Sequence, residues 1–365
     1  MAFSLSWKRI GLHPIIATSM KSKIVFLSLP LLLLASCGEE KGPETLYYHF
    51  SLTPVFGSGI SMNYGSKEGS YNDTLEAITK RLDALVDPYH APVNVEASLY
   101  TINHTHDPVA VDEDLFKMLK KAVELEKQTE GYFSPWLYEI TTLWKTTLFG
   151  GLIPLSDFKP TKESIEEAKG KVGAMLAKIP GSSLVFDETK KTVKRVGDAM
   201  LDLGGLAKGY FVERIEDFFE EKGVTVYLID GGQSSLGFGT TDTGDGFNVR
   251  LSYTGTEVIR YQAKNIDSSC SAIYEQYQMV DGVVYSHDID PKNGLPVAPF
   301  SMAYLQGEDS AMLDAFSTSC MLAGIEKTKE WEKTFNFASC LFSDVTTGGH
   351  YAKLEYENSN LKRSV

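Results

Sequence analysis

The chain has 365 residues, 43% hydrophobic and 11% aromatic, with a formal net charge of -13. That composition excludes a disordered chain and supplies apolar surface for one large core or two moderate ones. The negative field repels polyanions, so no nucleic-acid partner is expected, and a phosphorylated small molecule needs local relief, most simply from a divalent cation.

Lys21 and Lys23 precede an apolar run from Ile24 to Leu34, then Leu34-Ala35-Ser36-Cys37-Gly38. The run is shorter than the ~20 residues of a spanning helix and suits the apolar region of an export signal. Small residues before Cys37 resemble a bacterial lipobox, which implies a leader over 1–36, with Met20 as an alternative start, and a lipid on the Cys37 sulfur. The mature chain would then sit in the bacterial cell envelope, held by that lipid on the periplasmic or outer side, with 37–45 as a polar tether. Cys270, Cys320 and Cys340 are odd in number and widely spaced, which suits neither a disulfide framework nor a zinc site; a pair between two of them stays open.

Segments alternating over 46–64 around Gly57 and Gly59 read as paired strands. Ile78, Leu82 and Leu85 mark a helix over 75–86, residues 89–106 read as irregular, and 115–127 as a second amphipathic helix ending before Gly131. Gly131-Tyr132-Phe133-Ser134-Pro135-Trp136 suits a ligand-lining loop or a turn packed on the core. Residues 150–170 are polar and loop-like, 162–176 a surface helix, and 184–194 a strand pair. Gly244-Asp245-Gly246 and Thr254-Gly255 carry hairpin signals. Strands and helices do not alternate regularly, so an α+β class is favoured over a doubly wound sheet.

Asp202-Leu203-Gly204-Gly205-Leu206-Ala207-Lys208 opens a helix whose apolar face is Phe211, Ile215, Phe218 and Phe219, stopped by Gly223. The glycine pair lets the backbone approach a ligand, and free amides at a helix start suit a phosphate. Tight packing on a neighbouring element would explain the same glycines. Lys208 lies in a first turn, where the dipole does not favour a cation. Downstream, Asp290-Pro291 and Asn293-Gly294 force a turn directly after His287. Asp314 and Thr318 lie one turn apart on one helix face, where a carboxylate and a hydroxyl can reach one hard cation.

In sequence order Asp202–Tyr210, Asp230–Gly232, Ser268–Ala272, His287–Gly294 and Asp314–Thr318 resemble the signature blocks of the ApbE family, the FAD:protein FMN transferases. Phe56-Gly57, Tyr89, Gly131–Ser134 and Leu143-Trp144 resemble its earlier blocks, and the likeness spans roughly residues 47 to 350. It implies ApbE-like (T-fold-like) mixed sheets with packed helices over 46–355, a flavin site in a cleft between sub-domains, and a C-terminal tail over 356–365. It also implies a Mg2+-dependent transfer of FMN from FAD to a Thr or Ser hydroxyl of a flavoprotein bearing a Ser/Thr-Gly-Ala-Ser/Thr type segment, with release of AMP. The Gly205 carbonyl, Asp314 and Thr318 would hold the metal. Asp202 and Lys208 would contact FAD, while Phe56, Tyr89, Ile289 and the backbone of Tyr132, Phe133 and Ser134 line the flavin and adenine sites. His287 is the implied base, with Asp314 as a competing one; an unperturbed imidazole near ~6.5 suits proton removal. Ser134, Phe56 and Asp288 depart from the usual aspartate, methionine and apolar residue. A FAD pyrophosphatase or a FAD-binding lipoprotein without turnover are the competing functions.

Overall fold

The computed structural model describes residues 44–152, 157–253, 255–274, 276–346 and 350–364; the expected leader over 1–36 and Cys37 lie outside them. Phe56 and Gly57 both adopt left-handed backbone (φ 48° and 70°). That two-residue turn folds β1 (Leu46–Val55) back on β2 (Ser58–Ser66) as an antiparallel hairpin.

The helices are α1 (Asn72–Val86), α2 (Leu99–Asn103), α3 (Glu113–Gln128), α4 (Tyr138–Phe149), α5 (Lys162–Leu176), α6 (Ala207–Glu221), α7 (Ser310–Ala323) and α8 (Ile325–Phe335). The further strands are β3 (Val109–Ala110), β4 (Ser183–Asp187), β5 (Thr192–Val196), β6 (Tyr227–Gly231), β7 (Ser235–Phe238), β8 (Phe247–Tyr253), β9 (Thr256–Ala263), β10 (Ile266–Ala272), β11 (Tyr277–Val280), β12 (Val283–Ser286), β13 (Met302–Gly307), β14 (Ala338–Thr346) and β15 (His350–Glu357). Six of them join β1 and β2 in one eight-stranded sheet of order β1-β2-β6-β7-β10-β13-β14-β15, with small sheets β3-β5-β4, β8-β9 and β11-β12 beside it.

Residue alternation assigns the two faces of the large sheet. Leu305 and Leu341 join Phe211, Phe219 and Phe316 in the core beneath the helices, whereas their neighbours Tyr304 and Phe342 join Phe238, Val249 and Tyr261 against the β8–β9 ribbon. β13 is buried along its whole length, as a central strand covered on both faces must be. A third core brings Ile140, Trp144 and Leu148 of α4 against Ile165, Ala168 and Val172 of α5, with Tyr285 and Ile289.

Several expectations need correction. α5 is only half a surface helix, because its apolar stripe closes the third core. α4 interrupts a stretch read from motifs alone, and α2 interrupts the irregular segment, opened at Ser98, whose amide donates to Thr101 Oγ1 at 3.1 Å. The Gly244–Gly246 turn joins two different sheets and makes no hairpin. In the segment expected as a C-terminal tail over 356–365, β15 runs on to Glu357, Leu361 is buried, and the Gln262 amide donates to the Lys362 carbonyl at 2.9 Å. Cys270, Cys320 and Cys340 are all buried, and Cys320 and Cys340 are free thiols.

Candidate active site

Before α6 the chain turns sharply. The Leu206 and Ala207 amides both donate to the Leu203 carbonyl at 3.0 Å, and the Gly204 amide donates to Asp202 Oδ1 at 2.8 Å, so the turn is closed by its own first carboxylate. Gly204 and Gly205 are exposed. A β-carbon on Gly205 would sit 3.2 Å from the Phe133 ring, and the Asp202 amide donates to the Pro135 carbonyl at 2.8 Å. The turn and the Gly131–Trp136 loop are thereby locked together.

The helix expected to offer free amides to a phosphate already holds an anion of the chain itself. Leu206 provides no side-chain cap, and Asp314 Oδ2, reaching over from α7, accepts from the Gly209 amide at 3.0 Å. Gly209 makes this possible: a β-carbon there would lie 2.2 Å from the Ser310 carbonyl oxygen. A phosphate beside this turn therefore depends on cationic charge more than on helix amides. Asp314 is 5% exposed; burial pushes its carboxyl up, against the pull of Lys208 and the Gly209 amide. Asp230 is pushed up in the same way, opposed by the Gln233 amide and Lys208. Lys208 thus serves two carboxylates, buried Asp314 and half-buried Asp230, the reason for a cation that its helix position does not supply.

One turn beyond Asp314, Thr318 Oγ1 lies 2.8 Å from Ser271 Oγ, which lies 2.7 Å from Ser317 Oγ; the Ser317 hydroxyl donates to the Asp314 carbonyl at 2.8 Å. This hydroxyl ladder ties α7 to β10. Ser271 and Ser317 were not among the expected site residues, although both stand inside the quoted blocks. Among the described residues no cluster of three or more His, Cys, Asp or Glu side chains could hold a metal. The donors near Asp314 are a carboxylate and hydroxyls, all hard oxygens, which fits a Mg2+ completed by phosphate and water and not a preformed protein cage.

Among the residues expected to line a flavin, the Phe56 amide donates to Asp83 Oδ1 at 2.7 Å, holding a bulky residue in left-handed backbone with its ring 5.4 Å from Phe211. Tyr89 packs 5.3 Å from Tyr138, and Lys145 Nζ donates to its hydroxyl at 3.2 Å; burial, followed by the Asp202 charge, pushes the phenol up. Tyr132 lies between Lys292, 4.2 Å from its ring centre, and the edge of Trp331. Phe133 and Ser134 are buried: the Ser134 hydroxyl donates to Glu126 Oε1 at 2.6 Å, and Trp136 Nε1 donates to Oε2 at 3.3 Å. Glu126, unforeseen, is the brace of this loop. The Ile289 side chain belongs to the third core and is 7% exposed.

His287 stands where that core meets the loop. Its amide donates to the Gln276 carbonyl at 3.0 Å, and Nδ1 lies 3.3 Å from the same oxygen. A carbonyl only accepts, so the tautomer that makes this bond carries its proton on Nδ1 and leaves Nε2 as the acceptor nitrogen. Asp288 Oδ1 is 3.7 Å from Nε2, placed to stabilise an imidazolium. The following turn is fixed by Lys292 Nζ donating to the Glu130 carbonyl at 2.8 Å and Trp144 Nε1 donating to the Gly294 carbonyl at 2.7 Å. A separate charged cleft around Arg81, Asp112, Asp114 and Arg214 contains none of these residues and is filled by its own ion pairs.

A family model described as the ApbE family matches residues 56–342. The FAD:protein FMN transferase of Vibrio cholerae is 27% identical over 322 residues, covering 84% of this chain and 89% of the relative. That of Haemophilus influenzae is 24% identical over 285 residues, covering 76% and 79%. Among solved structures, the flavin transferase ApbE from Vibrio cholerae superposes with a TM-score of 0.66 at 19% identity, covering 85% of this chain and 97% of the other. The apo flavinyl transferase ApbE of Pseudomonas stutzeri gives 0.65 at 20% identity, covering 85% and 95%. At these identities the structural likeness speaks for the fold, and the family match takes in every block from Phe56 to Thr318: the chain belongs to the ApbE family.

Proposed function

We propose that this chain transfers FMN from FAD to a Ser or Thr hydroxyl of a target flavoprotein and releases AMP, using Mg2+ as cofactor. The observation that carries the reading is the junction at Asp314, a buried carboxylate on the first-turn amide of α6, beside Lys208 and one turn from the Ser271–Thr318 hydroxyls. Asp314, Thr318 and the Gly205 carbonyl would hold Mg2+, which when bound neutralises diphosphate charge and polarises the phosphorus under attack. Lys208 adds a fixed positive charge to the same region.

In the reaction the acceptor oxygen forms a bond to the FMN phosphorus, the bond to the AMP oxygen breaks, and AMP leaves with that oxygen. His287 Nε2 takes the hydroxyl proton, and Asp288 steadies the resulting charge. Phosphoryl-type transfer depends chiefly on positioning, the task of the braced Gly131–Trp136 loop and of Tyr132 between Lys292 and Trp331. By the lipobox reading, the enzyme works from the envelope surface through a lipid on Cys37. Incubating the mature chain with FAD, Mg2+ and an acceptor domain carrying a Ser/Thr-Gly-Ala-Ser/Thr segment tests the function. A covalent FMN mass on the acceptor with equimolar AMP is expected, AMP without label would mean a pyrophosphatase, and bound FAD without AMP a carrier.

A further inference from the structure

We propose that the outer edge of β11 is a docking rail on which the acceptor protein adds an extended segment as a third strand, bringing its hydroxyl to His287; the proposal rests on the transferase reading. β11 and β12 form a two-stranded ribbon outside the large sheet, with Tyr277 paired to Ser286 and Met279 to Val284. The bond from the His287 amide to the Gln276 carbonyl continues this ladder by one position. Bonded and non-bonded pairs alternate along an antiparallel ladder. With Gln276 and His287 joined, the N–H and C=O groups of Tyr277 and Met279 therefore point away from β12. Among the described residues those groups meet no hydrogen-bond partner.

The side chains at this edge are open as well. Tyr277 and Met279 of β11 are 40% and 49% exposed, and Val283 at the tip on β12 is 44% exposed, apolar surface left open although Val280 and Tyr285 of the same ribbon pack on the third core. Edge strands are normally blunted by charge, proline or irregularity. β1 carries Pro54 and a register break between Leu52 and Val55, and β15 carries Lys353, Glu355 and Glu357. β11, Tyr277-Gln278-Met279-Val280, has none of these devices. The ribbon is held in place by Lys162, 3.3 Å from Asp281 at its tip, and by the bonds of His287 at its base.

An acceptor polypeptide is the occupant that fits, because the reaction must deliver a peptide-borne hydroxyl to the histidine that ends this ribbon. A strand added to β11 runs two strand spacings, about 10 Å, from the His287 backbone, a gap shared by the imidazole and the acceptor side chain. Main-chain pairing sets the register, and apolar neighbours of the hydroxyl rest on Tyr277 and Met279.

The test uses the full mature chain, FAD, Mg2+, an acceptor domain with the Ser/Thr-Gly-Ala-Ser/Thr segment and, in parallel, a synthetic peptide containing Ser-Gly-Ala-Thr. Met279→Pro deletes an edge N–H, and Met279→Lys charges the edge should the first variant fail to fold. Each is expected to raise the KM for acceptor about tenfold or more, with FAD affinity unchanged, and the peptide is expected to slow amide exchange at Tyr277 and Met279 of the unsubstituted chain. An unchanged acceptor KM in a folded variant would overturn the rail and leave the transferase reading standing. Protection of the same amides by self-association, without peptide, would overturn the acceptor as occupant. An unsubstituted chain that releases AMP but labels no acceptor would overturn the transferase reading, and the rail with it.

Discussion

Gly209→Ala perturbs the contact on which the site is built. The added β-carbon would lie 2.2 Å from the Ser310 carbonyl oxygen and 2.7 Å from Ala311 Cα, both backbone atoms of α7. Carbon contacts are comfortable near ~3.5 Å, so α6 and α7 must separate by roughly 1 Å, stretching the 3.0 Å bond from the Gly209 amide to Asp314. Helix propensity favours alanine by about 1 kcal/mol. Against it stand overpacking, about 1–3 kcal/mol, and a weakened hydrogen bond to a carboxylate, about 1.5–3 kcal/mol. The net expectation is a loss of roughly 1.5–5 kcal/mol in urea unfolding, from these three terms. AMP release should fall about 100-fold, the usual consequence of ~1 Å misplacement at a reacting centre. A variant with the parent's urea midpoint and the parent's turnover would refute the claim that this helix contact positions Asp314.

His287→Ala should slow acceptor labelling by about 100-fold to 10,000-fold while flavin-fluorescence titration shows unaltered FAD binding; labelling at the parent rate would remove the imidazole from the proton step. Glu126→Ala strips the Ser134 hydroxyl and Trp136 Nε1 of their acceptor, so FAD affinity should drop by about tenfold, the loss of one to two charge-assisted bonds; an unchanged Kd would show that the loop holds itself. Burial pushes the Glu216 carboxyl up to about 7, and Asp267 beside it is pushed up too. A raised folded value favours the protonated form, so this stability is full below the unfolded value of ~4.3 and is lost as pH rises through about 7. Between about pH 5 and pH 8 Glu216 alone should lower the unfolding free energy by roughly 3 kcal/mol, with Asp267 adding a fall of the same sign, and Glu216→Gln should lessen the total fall; parallel pH profiles for parent and variant would contradict the assignment.

Local signals served well where the physics is local. The glycine-rich turn opens α6 at Ala207, within a residue or so of the expected start, and the helix carrying Asp314 and Thr318 ends at Gly324 as its glycine stop demands. The Asp290–Gly294 turn likewise forms where proline, asparagine and glycine require it. The relation between Asp314 and Gly209 was not legible, because a carboxylate capping a helix 105 residues away leaves no periodicity or spacing behind. The Ser268–Ala272 stretch reads as a motif, but its hydroxyl ladder to Ser317 and Thr318 arises only when α7 crosses β10. Glu126 passed as one more polar residue on an amphipathic helix; its burial under Ser134 and Trp136 comes from how the loop folds back. α4 was masked by its threonines and narrow apolar stripe, and the Gly244–Gly246 turn was recognised as a turn without any hint that its two strands belong to different sheets.

The most direct measurement is a comparison of the unsubstituted chain and Asp314→Asn, each given FAD, Mg2+ and the acceptor domain, following acceptor mass and AMP together. The unsubstituted chain should add one FMN per acceptor with one AMP released, and Asp314→Asn, folded and still binding FAD, should do neither at any Mg2+ concentration. Full labelling by Asp314→Asn would contradict the role given to this carboxylate.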